Sequence, residues 1–126
     1  GVSCRFPGGS NSPEQFWDFL QSGEDGIGQI PPSRWDVDAF YNEDPAHPNT
    51  MYTKSGGFIT DVDQFDANFF GIANAEAKKI DPQQRLLLEV GYDALHRAGY
   101  DRTTLNGSNT GVFVGSTHDG WGANSA

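Results

Sequence analysis

Asp81-Pro82-Gln83-Gln84-Arg85-Leu86-Leu87-Leu88-Glu89 opens the stretch that decides the fold, and Thr110-Gly111-Val112-Phe113-Val114-Gly115 closes it. Asp81 can cap a helix, and Pro82 suits the first helical position, where an N–H has no intrahelical partner anyway. The helix so opened is predicted to run to about Ala98, with Gly99 as its stop. Leu87, Val90, Ala94 and Ala98 share one face, and Leu86, Leu88 and Leu95 widen it. Arg85, Glu89, Asp93 and Arg97 recur every four residues, so Arg85–Glu89 and Asp93–Arg97 can pair along one polar stripe. The closing run, apolar between two glycines, reads as a buried strand. A long amphipathic helix followed by a buried strand points to an α/β fold.

The same reasoning extends outward along the chain. Ser12-Pro13-Glu14-Gln15 is a helix start, with Ser12 as cap, Pro13 at the first position and Gln15 completing a capping box. The helix is predicted over 13–22, with Phe16, Trp17, Phe19 and Leu20 on a broad apolar face and Gly23 in the left-handed terminating position. Before it, Gly1 to Cys4 reads as the tail of a strand, and Pro7-Gly8-Gly9 turns the chain. Residues 24–64 are rich in Gly and Pro and poorly periodic. Pro31-Pro32, Asp44-Pro45 and His47-Pro48 exclude a long helix there. Trp35, Phe40, Tyr41, Tyr52 and Phe58 make this region an ordered excursion over a larger body rather than a free linker. Asn74 is read as the cap of a short helix over 75–80.

The 126 residues allow one domain at most. Eight Lys and Arg against 17 Asp and Glu give a formal charge of -9, which argues against a nucleic-acid backbone or an anionic membrane surface as partner. With 36% hydrophobic and 13% aromatic residues, the acidity does not mean disorder. Cys4 is the one cysteine, so the chain forms no internal disulfide and no cysteine zinc site. It fits a reducing, cytoplasmic setting. No apolar run reaches a membrane span, and no signal peptide is evident. The chain starts at Gly1, and its single methionine is Met51. It therefore reads as an excerpt of something longer, incomplete at both ends.

Four sets of residues could carry chemistry. Asp61, Asp63 and Asp66, Asp44 with His47, and His118 with Asp119 are candidate metal ligands. They lack the alternating acidic spacing, glycine and closing Glu of a calcium loop, and read as solvated loop carboxylates. Ser116 with His118 and Asp119 follows the apolar run, but Val114-Gly115-Ser116-Thr117-His118 lacks the flanking glycines of a nucleophile elbow. Cys4 beside Arg5 could be a thiolate, and reads instead as a small buried hydrophobe. The glycines from Gly111 to Gly122 form no phosphate loop, because neither Gly-Lys-Ser/Thr nor Gly-x-Gly-x-x-Gly occurs. The residues thus define a fold class and no catalytic, cofactor or metal constellation.

Seven stretches, in this order and spacing, resemble the start of β-ketoacyl synthase (condensing-enzyme) domains of type I polyketide and fatty-acid synthases. They are Cys4-Arg5-Phe6-Pro7-Gly8-Gly9, Pro13-Glu14-Gln15-Phe16-Trp17, Pro32-Ser33-Arg34-Trp35-Asp36 and Gly56-Gly57-Phe58. The remaining three are Phe65 to Ile72, Asp81 to Glu89 and Gly111 to Gly115. The first and sixth lean towards the polyketide branch. The resemblance implies a thiolase-like fold of two related α/β halves, usually dimeric. Residues 1–126 would then be a fragment of the first half, within the N-terminal β-ketoacyl synthase domain.

In that family a cysteine takes the growing acyl chain as a thioester. A malonyl-type extender, carried by phosphopantetheine on an acyl carrier protein, is decarboxylated, and its carbanion attacks the thioester. Two histidines assist the decarboxylation and the forming oxyanion. None of these three residues matches a position here. Cys4 falls at an early family position that is not the nucleophile, and His47, His96 and His118 match no catalytic histidine. The resemblance therefore implies a structural excerpt with no cofactor of its own. Its expected partners are the rest of the synthase domain, an acyl carrier protein and a second copy in a homodimer. Two rival readings are a stand-alone acidic interaction module, which would fold cooperatively alone, and a degenerate synthase domain without the catalytic cysteine.

Overall fold

The computed structural model describes residues 1–117 and Trp121. They fall into two compact units, one of Cys4–Thr60 and one of Gly1–Ser3 together with the chain from Asp61 onward. In chain order the elements are α1 (Pro13–Ser22), β1 (Ile27–Gln29), α2 (Val37–Phe40), β2 (Ser55–Gly57), α3 (Asn74–Ala77), α4 (Pro82–Arg97) and α5 (Arg102–Leu105).

In the first unit, α1 spans the residues that its start and stop signals predict. The Ser12 hydroxyl accepts the Gln15 N–H at 3.1 Å, and Gly23 closes the helix with φ 68°. The return bond differs from the expected capping box. Gln15 Oε1 accepts from the Asn11 N–H at 3.0 Å, one residue before the cap. Phe16 of α1 meets Phe6 at 4.9 Å between ring centroids. Phe19 lies over Gly8, where an added Cβ would come within 2.5 Å of its ring. Gly8 also has φ 82°, so the turn after Phe6 needs glycine twice over, for conformation and for space.

The long excursion is ordered. β1 and β2 pair antiparallel in the register Ile27↔Gly57, Gly28↔Gly56 and Gln29↔Ser55. The Ile30 N–H continues the ladder to the Lys54 carbonyl at 2.9 Å, and Ile30 is buried. Asp36 caps α2 through the Asp38 N–H. Two cation–aromatic contacts tie the loops together: Arg34 lies over Phe58 at 5.4 Å and Lys54 over Tyr41 at 4.7 Å. The Arg5 guanidinium donates to the Thr60 carbonyl.

In the second unit, Asp81 caps α4 through the Gln83 N–H at 2.8 Å, and Gly99 follows the helix with φ 85°. Arg97 and Asp93 pair at 2.8 Å along the predicted polar stripe. Asn74 is the first residue of α3 rather than its cap. Ala73 takes the cap position and offers no side-chain bond. The helix ends at Ala77, short of the predicted residue 80. The sequence pattern also passed over α5, which Asp101 opens with a reciprocal capping box to Thr104.

The largest correction concerns Thr110 to Gly115, expected as a buried strand. In the structure this run is in no strand, and Val112, Phe113 and Val114 are 81%, 97% and 57% exposed. A strand exists only when neighbouring backbone satisfies its N–H and C=O groups. Among the described residues none pairs its backbone with this run in a strand ladder. Gly1 to Cys4 likewise forms no strand. The helix faces tell a similar story, since neither α1 nor α4 has a fully buried residue.

Two substitutions test the α1 termini. Ser12→Ala removes the capping hydroxyl and should cost about 1 kcal/mol. Gly23→Ala places a Cβ at positive φ and should cost about the same. Amide hydrogen exchange across 13–22, in the protein that carries this chain, should quicken in both variants.

Candidate functional site

The second unit contains an aromatic concave surface. Phe69 and Phe70 meet edge to face at 5.1 Å, and Phe65 stacks on Phe70 at 5.5 Å. Tyr92, on α4, completes the cluster edge to face with Phe69 at 4.9 Å, and stacks on His96 at 6.1 Å. The Asp66 carboxylate holds the preceding turn by accepting the Phe69 N–H at 3.1 Å. The resulting groove, about 540 Å³, is walled by Phe69, Phe70, Tyr92, Leu95, Tyr100 and Leu105, with Asp101 and Arg102 at its edge. Its lining is apolar and aromatic. It can bury an apolar surface, but it brings no nucleophile beside a base.

The charged groups around it serve the backbone. Hydrogen bonds from the Thr103 hydroxyl, at 2.6 Å, and then from the Thr104 N–H hold the Asp101 carboxyl below the usual carboxylate range. Asp93 is lowered too, first by a hydrogen bond from Ser3, then by the hydrogen bond and charge of Arg97 and the proximity of His96. The chain's first residues thus lie against α4. Gly1 is so close that an added Cβ would come 1.8 Å from the Ala94 carbonyl oxygen. Any other residue there would have to move the backbone.

The first turn of α4 is the other organised polar site. Asp81 accepts the Gln83 N–H through one carboxylate oxygen and the Gln83 side-chain amide, at 3.3 Å, through the other. The same amide donates to the Thr117 carbonyl at 2.8 Å. One turn on, the Arg85 guanidinium lies over the Trp121 ring at 5.7 Å.

The structure separates the candidates that the sequence offered. Cys4 is buried, its thiol directed at the Ser10 carbonyl oxygen at 3.8 Å, which is the small-hydrophobe role. Asp44 accepts the Ala46 N–H at 2.9 Å, and His47 shares a turn with Thr50, whose hydroxyl donates to the His47 carbonyl at 2.8 Å. Asp61 adopts a positive φ of 54° and accepts the Gln64 N–H through its carbonyl. Among the described residues, no three His, Cys, Asp or Glu side chains gather to hold a metal ion. Ser116 is exposed, and its suggested companions His118 and Asp119 lie outside the described residues. The Asp81–Gln83–Thr117 connection escaped the sequence reading, since no local spacing joins residues 34 positions apart.

Against these features stand the likenesses to known proteins. The family model for the β-ketoacyl synthase N-terminal domain matches residues 1–126. One component of the phenolphthiocerol/phthiocerol polyketide synthase of Mycobacterium tuberculosis is 54% identical over 115 residues, 91% of this chain and 6% of that protein. Polyketide synthase GfsB of Streptomyces halstedii is 51% identical over 122 residues, 96% of this chain and 2% of that protein. Among solved structures, the oxazolomycin ketosynthase domain OzmH KS7 of Streptomyces albus superposes with a TM-score of 0.78 at 40% identity, covering 85% of this chain and 19% of its own. The module 6 ketosynthase of the Bacillus subtilis bacillaene synthase gives 0.73 at 40% identity, covering 83% and 17%. The chain belongs to the β-ketoacyl synthase family, as part of its N-terminal domain, and its fold is a portion of the thiolase-like fold of polyketide ketosynthases. It spans less than a tenth of the length of these curated polyketide synthases.

The Asp93 interaction sets a pH dependence. A carboxyl whose folded pKa is lowered contributes stability that is present above the ordinary carboxylate range. That stability is lost as pH falls through the folded value. Asp93→Asn should therefore lower stability at neutral pH, by about 0.5 kcal/mol for so exposed a pair. The gap from the parent should close in acid. Urea midpoints of the protein that carries this chain, measured from neutral to acidic pH, would show the two curves converging.

Proposed function

We propose that this chain is the scaffold at the start of an acyl-transferring condensing domain, in a synthase that builds polyketides by decarboxylative Claisen condensation. The observation that carries this reading is the match of the β-ketoacyl synthase N-terminal model along the whole of residues 1–126. The geometry supports it from another side. The exposed Val112-Phe113-Val114 run and the half-covered faces of α1 and α4 are surfaces that a larger domain would bury.

In this chemistry a thiolate attacks the acyl thioester carbonyl, and the carrier thiol leaves. Loss of carbon dioxide from a malonyl-type thioester yields an enolate, which attacks the enzyme-bound acyl group. The new carbon–carbon bond forms as the enzyme thiolate is released. The substrates arrive as phosphopantetheine thioesters on an acyl carrier protein, the complete enzyme is a homodimer, and the setting is cytoplasmic. No residue of this chain takes a catalytic part. Burial of Cys4 at 8% exposure, against a backbone carbonyl, supports leaving it out of the chemistry. His47 is engaged in its loop turn, and His96 stacks on Tyr92.

The test uses the protein that contains this chain, supplied with acyl and malonyl thioesters of its carrier protein. Release of carbon dioxide together with a chain longer by two carbons is the expected result. Absence of both acyl loading and condensation would overturn the reading. Cys4→Ala should still load the acyl group at the parent rate, while costing about 1 kcal/mol of stability. Loss of the acyl-enzyme by mass spectrometry in that folded variant would place the nucleophile at Cys4 instead.

A further inference from the structure

The stretch 111–117 makes one hydrogen bond to another described residue, and that bond comes from Gln83. Its apolar side chains are exposed, so packing does not set where it lies along α4. The Gln83 amide ties the end of the stretch to the first turn of α4. Asp81 fixes that amide from behind, accepting the Gln83 N–H at 2.8 Å and one side-chain N–H at 3.3 Å. The second side-chain N–H is left aimed at the Thr117 carbonyl, 2.8 Å away. The donor is thus held in one orientation by the same carboxylate that starts the helix.

We propose that Gln83 is a positioning residue. It is a register latch that fixes the Val112-Phe113-Val114 run relative to α4 before that run enters a sheet. The constraint it meets is specific. Side chains alternate along a strand, so a slip of one residue exchanges its two faces. A run of three apolar residues between glycines carries little pattern of its own to prevent this. A single carbonyl held at the end of the run removes the ambiguity. At the other end, the Ser108 and Thr110 hydroxyls meet at 2.6 Å. Gln84, the neighbouring residue of the same type, is exposed and serves as an internal control.

The experiment is amide hydrogen exchange, read by mass spectrometry, on the protein that contains this chain. Gln83→Ala and Gln83→Glu are compared with Gln84→Ala. The glutamate keeps the size of Gln83 but removes the donor and faces two acceptors. Loss of the latch should quicken exchange across 111–117 by about fivefold, the factor carried by one ordinary hydrogen bond. Exchange across 13–22 should hold at the parent rate, and Gln84→Ala should match the parent throughout. Unchanged exchange across 111–117 in both Gln83 variants overturns the proposal. So does an equal rise everywhere, which would mark Gln83 as a general stabilising residue. The readout needs no condensing activity, so a failure of the functional reading and a failure of the latch are separate results.

Discussion

Apolar surface must find a partner, and this chain has more of it than it covers. Hydrophobic residues make up 36% of the sequence, yet the buried ones among the described residues are only Cys4, Ile30, Val37, Ala67 and Ala77. All but two of these, Ile30 and Val37, are alanine or cysteine, and no large aromatic is enclosed. Local order comes instead from devices that work without a deep core. These are side-chain caps at Ser12, Asp36, Asp81 and Asp101, left-handed glycines after α1 and α4, and aromatic contacts such as Phe6–Phe16 and Phe69–Tyr92. The caps and glycines each act over one or two turns. Caps and aromatic pairs contribute on the order of 1 kcal/mol each, which shapes helices but does not replace the burial that stabilises a domain.

Much of this was legible in the sequence because caps are local chemistry. Ser12-Pro13 and Asp81-Pro82 mark their helix starts to the residue, and Gly23 and Gly99 mark the stops. The same local logic would have found α5 from Asp101 and Thr104. Illegible elements depend on partners far along the chain. β1 and β2 are three residues each, contain Gly28, Gly56 and Gly57, and exist through pairing across a long loop. Their sequences carry no strand periodicity. Thr110 to Gly115 shows the opposite case: a strand-like composition without described neighbours remains irregular. Pattern states what a segment can become, and pairing decides whether it does.

The candidate site divides along the same line. That Cys4 is a buried small residue followed from its setting, and the structure agrees. The link from Gln83 to Thr117 required coordinates. A fold supports many functions, and here the groove beside Tyr92 and the capped turns offer no reaction by themselves. What relates the chain to condensation is its place in the β-ketoacyl synthase family. In the proposed reading, what the residues contribute physically is a set of helices and an apolar run presented for assembly with other parts of a domain.

The most direct measurement is urea unfolding of residues 1–126 alone, followed by near-ultraviolet circular dichroism and by binding of an apolar dye. If the exposed faces need partners outside the chain, the fragment should bind the dye, show little fixed aromatic signal and lose it gradually. A single cooperative transition, with a denaturant slope of about 1–3 kcal/mol per molar urea and no dye binding, would show a self-sufficient domain. That result would contradict a scaffold whose apolar surfaces await the rest of a ketosynthase.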